Sequence, residues 1–561
     1  MDERTDFQGK IFLEPSESDL TEVAKKLLEK DVEVVVVSFI NSYTNPANEQ
    51  KAKKVLEKVW PNPFIVTGSE ILQEVREFER TSTAVLNGYV QPLINSYLGK
   101  LMEKLRQKGY ENKVLLIQSN GGVMSEEVAR RFSVNTIISG PAAGVMAARQ
   151  MNQAGEAENI ITCDIGGTSL DISLIVDGQP TTAFEANLGY GFPIKVPMLD
   201  IRTVGAGGGS IAWIDRAGIL QIGPQSAGAD PGPACYGQGG QEPTLTDANL
   251  VLGRISPTDA IGRDQGWTFD RDRAQQVIMN TIARPLGLSI IEAARAILEV
   301  ANQKIAGSIR SLTVERGLDP RDFTLVAYGG GGPLHACSIL RELEIAKALI
   351  PPWPGANSAV GCVMADVRHD FVQTINQRLD GLDTAELYKI LEQHVKHGED
   401  LIRQERIGVE SIEPHFYADM SYYGQIHEVR TPLPSHFCGR DEIKKAFEDT
   451  YVALYGQSIE TLPIRIMTLR TTVVGIRPKT AFHIPTDNRV HSLEAALKGK
   501  RSVYFNGGFQ ECQVFDRTLL PRDTYLLGPA IIEQADATTV VEPFMRCDVD
   551  ALGNLNIKEI K

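Results

Sequence analysis

The sequence predicts an α/β protein followed by a separate C-terminal α+β domain, and three observations carry that prediction. Val32 to Ile40 is a nearly unbroken apolar run between two helical patterns, as expected of a strand buried on both faces in a parallel sheet. Residues 160–184 read as strand, glycine turn, strand, Asp-Gly turn, strand. Thr324–Tyr328 runs into four glycines, Gly329 to Gly332, and Pro333 is well placed to open a helix.

The elements follow in order. Leu20, Val23, Ala24, Leu27 and Leu28 share one helical face, predicting a helix over 18–30, and a second helix runs from about Pro46 to Val59. A buried strand at 32–40 needs neighbours on both sides, so the chain is expected to begin inside a domain. Val114–Gln118 is a strand, and a helix of small residues follows Ser139-Gly140-Pro141-Ala142-Ala143-Gly144. Residues 189–254 are glycine-rich and largely non-helical. A long helix covers 289–316, with Ile291, Ala294, Leu298, Ala301, Ile305 and Leu312 on one side. Past about 375, helix 384–405 gives way to turn-punctuated, strand-like sequence such as Met467–Val474 and Ala530–Val541. The expected divisions are 1–65, 66–375 and 376–561.

With 561 residues and 42% hydrophobic content, the chain can bury several cores. A net charge of −14 argues against nucleic-acid or anionic-membrane binding, which require a basic face. The seven cysteines are scattered with no C-x-x-C pair, which suits a reducing compartment and thiols used as small core residues. No basic-then-apolar leader opens the sequence and no apolar run reaches membrane-spanning length, so a cytoplasmic protein is expected.

The chemistry concentrates in glycine loops. Gly166-Gly167-Thr168-Ser169 lies inside a hairpin, where glycines can aim backbone N–H groups at a phosphate without a helix dipole. Asp164 at the strand end is placed to hold a magnesium ion or a water; an ordinary tight hairpin is the competing reading. Gly329 to Gly332 lets backbone approach a flat ligand, or else serves close strand–helix packing. His335, in the first turn of the following helix, either contacts a phosphate or a partner, or is simply hydrogen-bonded. The dense run at Gly207, Gly208 and Gly209, with Asp230 in a nearby loop, is a candidate substrate or interface region. Asp200, Asp230 and Asp247 flank these loops as metal or water ligands or, taken singly, as turn or cap residues, and Cys235 reads as a structural thiol. No zinc spacing, Walker loop, dinucleotide fingerprint or serine elbow is present.

Taken together, several strings resemble the hydantoinase A / 5-oxoprolinase family: residues 69–92, LLIQSNGGVMS (115–125), ISGPAAGV (138–145), DIGGTSLDISLI (164–175), residues 197–213, SAGADPGPACYG (226–237), PTLTDANLVLGR (243–254), VAYGGGGPLHA (326–336) and GPAIIEQADATTVV (528–541). The resemblance implies an actin/hexokinase-like (ribonuclease H-like) ATP-binding core. It makes residues 164–171 a second phosphate hairpin, with Asp164 and Asp171 catalytic and Asp164 a metal ligand. It also makes Gly166, Gly167, Thr168, Ser169 and Gly329 to Gly332 nucleotide-binding, and Ser139–Gly144 and Asn357–Gly361 the openings of two linking helices. Full-length relatives carry an earlier hairpin of the form D-x-G-G-T-F-T-D, which this sequence lacks before residue 160. Residues 1–65 are therefore expected to be the tail of the first lobe.

The implied activity is ATP-dependent opening of cyclic amides such as hydantoins, 5-oxoproline and lactams. ATP and Mg2+ (or Mn2+) are the implied cofactors, and a hydantoinase B-like subunit the implied partner in a hetero-oligomer. The alternatives are the ATP-using subunit of an acetone/acetophenone-type carboxylase, and a non-catalytic nucleotide-binding remnant or scaffold.

Overall fold

The computed structural model describes residues 2–151, 158–183, 185–187, 191–258, 268–459, 461–478 and 492–560. Phe184 and residues 189–190 of the expected hairpin and glycine-rich regions lie outside them, as do residues 479–491 of the expected C-terminal domain. The chain groups into two compact units. One is Met1–Ser139 with Thr182–Met198 and Ala365–Lys479; the other is Gly140–Thr181 with Leu199–Met364 and Thr480–Lys561.

The second unit holds a nine-stranded sheet. Towards one edge lies the antiparallel hairpin Ile160–Ile165 and Leu170–Val176, with Ile201–Val204 as the edge strand beside it. On the other side Thr324–Tyr328 and then Ala348–Ile350 join in parallel. Three antiparallel strands followed by two parallel ones make the actin/hexokinase-like α/β core. Alternating residues of the first strand feed two cores, which explains its continuous apolar sequence. Ile160 packs with Ala142, Val145 and Ala148 of the helix Ser139–Met151. Ile161, Cys163 and Ile165 pack with Ile305, Ile309 and Ala336, from the helices Ile290–Val314 and Gly332–Leu343.

The first unit holds a six-stranded sheet in which the long strands Val367–Arg378, Ser411–Tyr422 and Ile464–Ile476 pair antiparallel. Helix Thr384–Glu405 lies close on it: a Cβ at Gly398 would come within 2.6 Å of Val473. Residues 1–67 add a small α/β layer in which Val35–Val37 pairs in parallel with Ile65–Thr67.

One expectation differs from what is observed. The strand expected over 32–40 is only three residues long. Beyond it, Phe39 N–H donates to Glu49 Oε1 and the Arg80 guanidinium donates to Phe39 O, so a buried ion pair takes the backbone that a neighbouring strand would have used. The contacts of residues 376–561 divide between the two units. The first part of this segment completes the sheet containing Val123–Ser125, while Thr524–Leu527, Met545–Val549 and Leu555–Glu559 extend the nine-stranded sheet. Strand pairing joins segments far apart in sequence, and shifts in composition do not register it.

Candidate active site

The hairpin closes through Gly166 N–H, which donates to Ser169 O at 3.0 Å. The N–H groups of Gly167 and Thr168 make no hydrogen bond to the described residues, and both residues are exposed. A Cβ on Gly167 would meet open space. Behind the turn runs the loop 205–210, with Gly208 N–H donating to Gly166 O and Gly209 N–H to Gly167 O. A Cβ at Gly207 would lie 2.6 Å from Ser169 N. The glycines at 207–209 thus let one backbone buttress another; the structure gives them this supporting place rather than an open ligand surface.

Asp164 and Asp171 are direct cross-strand partners. Burial, and then the charge of Asp171, raises the Asp164 carboxyl to about 6. Burial also raises Asp171, opposed by Thr203, whose hydroxyl donates to Asp171 Oδ1 at 2.5 Å. Two half-buried carboxylates with no cation partner among the described residues are a site that favours a metal ion. Magnesium typically takes one or two carboxylates and completes its shell with water and phosphate oxygens, so this pair fits it. Among the described residues no cluster of three or more His, Cys, Asp or Glu side chains forms a complete metal cage.

The second glycine loop follows Tyr328, which pairs with Asp164 across the parallel strands. Gly329 sits at φ +78°, and a Cβ there would lie 2.4 Å from Asp164 Oδ1. Gly331 N–H donates to Ile165 O at 2.8 Å. Gly330 alone keeps an open side, with Asp536 O at 3.8 Å from its Cβ position. Asp536 in turn accepts from Gly355 N–H at 2.8 Å.

Other candidates are not part of this constellation. His335 is 1% exposed and its Nδ1 meets Asn302 Oδ1 at 2.7 Å. Burial, then the nearby Arg254 charge, lowers its imidazole to about 3, so it is a neutral core group and not a phosphate contact. Asp230 is exposed at the surface. Asp247 is a capping residue that accepts from Cys235 N–H and from Thr244, while the Cys235 thiol is buried with a raised pKa. Asp200 pairs with Arg316. Thr203 and Asp536 escaped the sequence reading. Asp536 lies within the family-like string 528–541, so that string held the signal.

The chain matches family profiles described as Hydantoinase/oxoprolinase over residues 80–371, its C-terminal domain over 381–560 and its N-terminal region over 1–60. It is 35% identical over 569 residues to an uncharacterized protein of Methanocaldococcus jannaschii, covering 100% of this chain and 82% of that one. It is 34% identical to caprolactamase subunit alpha of Pseudomonas jessenii, covering 93% of this chain and 76% of that one. The crystal structure of ATP-dependent caprolactamase from that organism superposes with a TM-score of 0.85 at 32% identity, covering 99% of this chain and 81% of the other. The nucleotide-free structure of acetone carboxylase superposes with a TM-score of 0.79 at 26% identity, covering 100% and 81%. The chain belongs to the hydantoinase/oxoprolinase family.

Proposed function

We propose that this chain is the ATP-using subunit of an ATP-dependent hydrolase that opens cyclic amides of the hydantoin or 5-oxoproline type. The observation that carries this reading is the hairpin at 164–171: open N–H groups at Gly167 and Thr168, beside two carboxylates whose burial calls for a cation. In this role Gly166, Gly167, Thr168 and Ser169 cradle phosphate oxygens, Gly330 and its neighbours face the adenosine side, and Asp164 with Asp171 holds Mg2+ (or Mn2+). The ion would neutralise phosphate charge.

Cyclic amides resist hydrolysis because the carbonyl carbon is a poor electrophile. Transfer of the γ-phosphoryl group to the amide oxygen releases ADP and leaves an activated carbon. Water then adds there and the ring C–N bond breaks, the ring nitrogen leaving as an amine and the carbonyl as an acyl phosphate, which a second water hydrolyses to the carboxylate and inorganic phosphate. Little covalent chemistry is asked of the protein in the first step, so positioning and charge neutralisation carry it. The second step is assigned to a hydantoinase B-like subunit in a hetero-oligomer, a reading supported by relatives named as subunits. A cytoplasmic setting is supported by seven cysteines that form no disulfide.

The full-length superposition on acetone carboxylase favours a second reading, an ATP-using carboxylase subunit. ADP release by the purified complex separates the two. Stimulation by 5-oxoproline, hydantoin or caprolactam supports the hydrolase, and stimulation by acetone or acetophenone with bicarbonate supports the carboxylase. No nucleotide binding and no ADP release under either condition identifies a scaffold.

A further inference from the structure

The helix Glu77–Gln107 carries a surface that phosphoryl transfer does not use. From Thr81 to Gly99 it holds no charged side chain. Its buried side includes Ala84, Asn87, Gly88, Leu98 and Met102. On the solvent side Val85, Tyr89, Leu93 and Tyr97 are 48, 74, 68 and 61% exposed. Their four-residue spacing lines them along one face, and Phe78 continues the line towards the helix start.

A helix in contact with water ordinarily turns Lys and Glu outwards. Isolated apolar side chains on a surface are commonplace, but a contiguous ribbon marks an interaction site. Aromatic side chains bury about 150–250 Å2 each and Val and Leu somewhat less, so at these exposures the two tyrosines with Val85 and Leu93 present on the order of 500 Å2. That is more than half of the roughly 800 Å2 that each partner contributes to a standard interface. Tyrosine also supplies much of the binding energy at such surfaces.

The end of the helix indicates what covers it. Lys100, Lys104, Arg106 and Lys108 follow the ribbon against the single Glu103, in a chain whose net charge is −14. All five are exposed. A second copy related by a two-fold axis through the ribbon would set this basic end against residues 74–82. There Arg76 pairs with Glu79, Arg80 with Glu77, and the buried Glu74 with Lys195 and Arg470, leaving no acidic surplus to meet it. We infer that this face docks a second, non-identical protein subunit, which presents an apolar groove to Val85–Tyr97 and carboxylates to Lys100–Lys108. The inference rests on the multi-subunit reading above and supplies its contact surface.

The test measures association of the full chain with the proposed hydantoinase B-like subunit, by sedimentation and by surface-immobilised binding. Tyr89→Asp with Leu93→Asp is expected to weaken it at least 100-fold, with the thermal midpoint and the affinity for an ATP analogue unchanged. Tyr89→Ala with Leu93→Ala, which keeps helix propensity, is expected to weaken it at least tenfold and guards against misfolding. Lys100→Glu with Lys104→Glu is expected to slow association and flatten its salt dependence. Unchanged affinity in both ribbon variants overturns the inference, as does failure of the wild-type chains to associate, or a homodimer that the ribbon variants dissolve. Failure of the functional reading looks different: an intact complex that shows no substrate-dependent ATP hydrolysis.

Discussion

The two glycine loops of the second unit look alike in sequence and do opposite things. At 166–169 the glycines leave space: a side chain at Gly167 would meet nothing, and neighbouring N–H groups are unused. At 329–332 the glycines remove space between parts of the protein itself. Gly329 packs on Asp164, and Gly331 donates to Ile165. A glycine run therefore marks close approach by something, and only the surroundings say whether that is a ligand or another strand. In the proposed site, one loop faces the ligand and the other packs on the carboxylate beside it.

The largest expected effect falls where the loops meet. Asp164→Asn in the assembled complex is expected to lower substrate-dependent ATP hydrolysis about 100- to 1000-fold, on the order seen when a charge-stabilising group is lost. Because it removes a buried negative charge beside Asp171, it is also expected to raise the thermal midpoint of the isolated chain. Next comes Gly329→Ala, forced to φ +78° with its Cβ 2.4 Å from Asp164 Oδ1. It is expected to cost about 3 kcal/mol, read as a shifted urea midpoint.

The helix after the second loop adds a pH signature. The buried His335 imidazole sits at about 3, below its ordinary 6.5. The unfolded chain therefore binds its proton first, and stability present above pH 6.5 is lost as the pH falls towards 3. At pH 5 this amounts to about 2 kcal/mol by the linkage relation. His335→Gln is expected to flatten urea stability between pH 6.5 and 5, whatever its stability at neutral pH; an unaltered slope would contradict a buried neutral imidazole.

Gly167→Ala sharpens the contrast with Gly329→Ala. It is expected to leave the urea midpoint within about 0.5 kcal/mol while weakening Mg·ATP binding about tenfold, because the added methyl stands where phosphate approaches. If both alanines destabilise alike, the distinction between the loops fails. Thr203→Val should be the mildest. It removes the hydroxyl that donates to Asp171, so Asp171 ionises less readily, and turnover at pH 6 is expected to fall by about threefold more than turnover at pH 8.

Much of the fold was legible because its signals are local. Thr324–Tyr328 and the helix 384–405 were expected at the bounds observed, since an apolar run ending in glycines and an amphipathic stretch need no distant information. The hairpin at Asp164 was legible for the same reason. What escaped depends on long-range pairs. Val35–Val37 is short because Glu49 and Arg80 take the adjoining backbone. Thr203 reaches Asp171 across two strands, and Asp536 reaches Gly355 from far along the chain. His335 has the same sequence signature whether it faces solvent or Asn302, and only packing separates the two.

The central claim is that the turn at 166–169 receives the phosphates of ATP. Backbone hydrogen exchange, followed with and without Mg·ATP, tests it most directly, because the N–H groups of Gly167 and Thr168 have no partner among the described residues. The account predicts that Mg·ATP slows exchange in the segment spanning these residues, and that Asp164→Asn reduces the effect. Nucleotide binding that protects other segments and leaves this turn exchanging as before would contradict it.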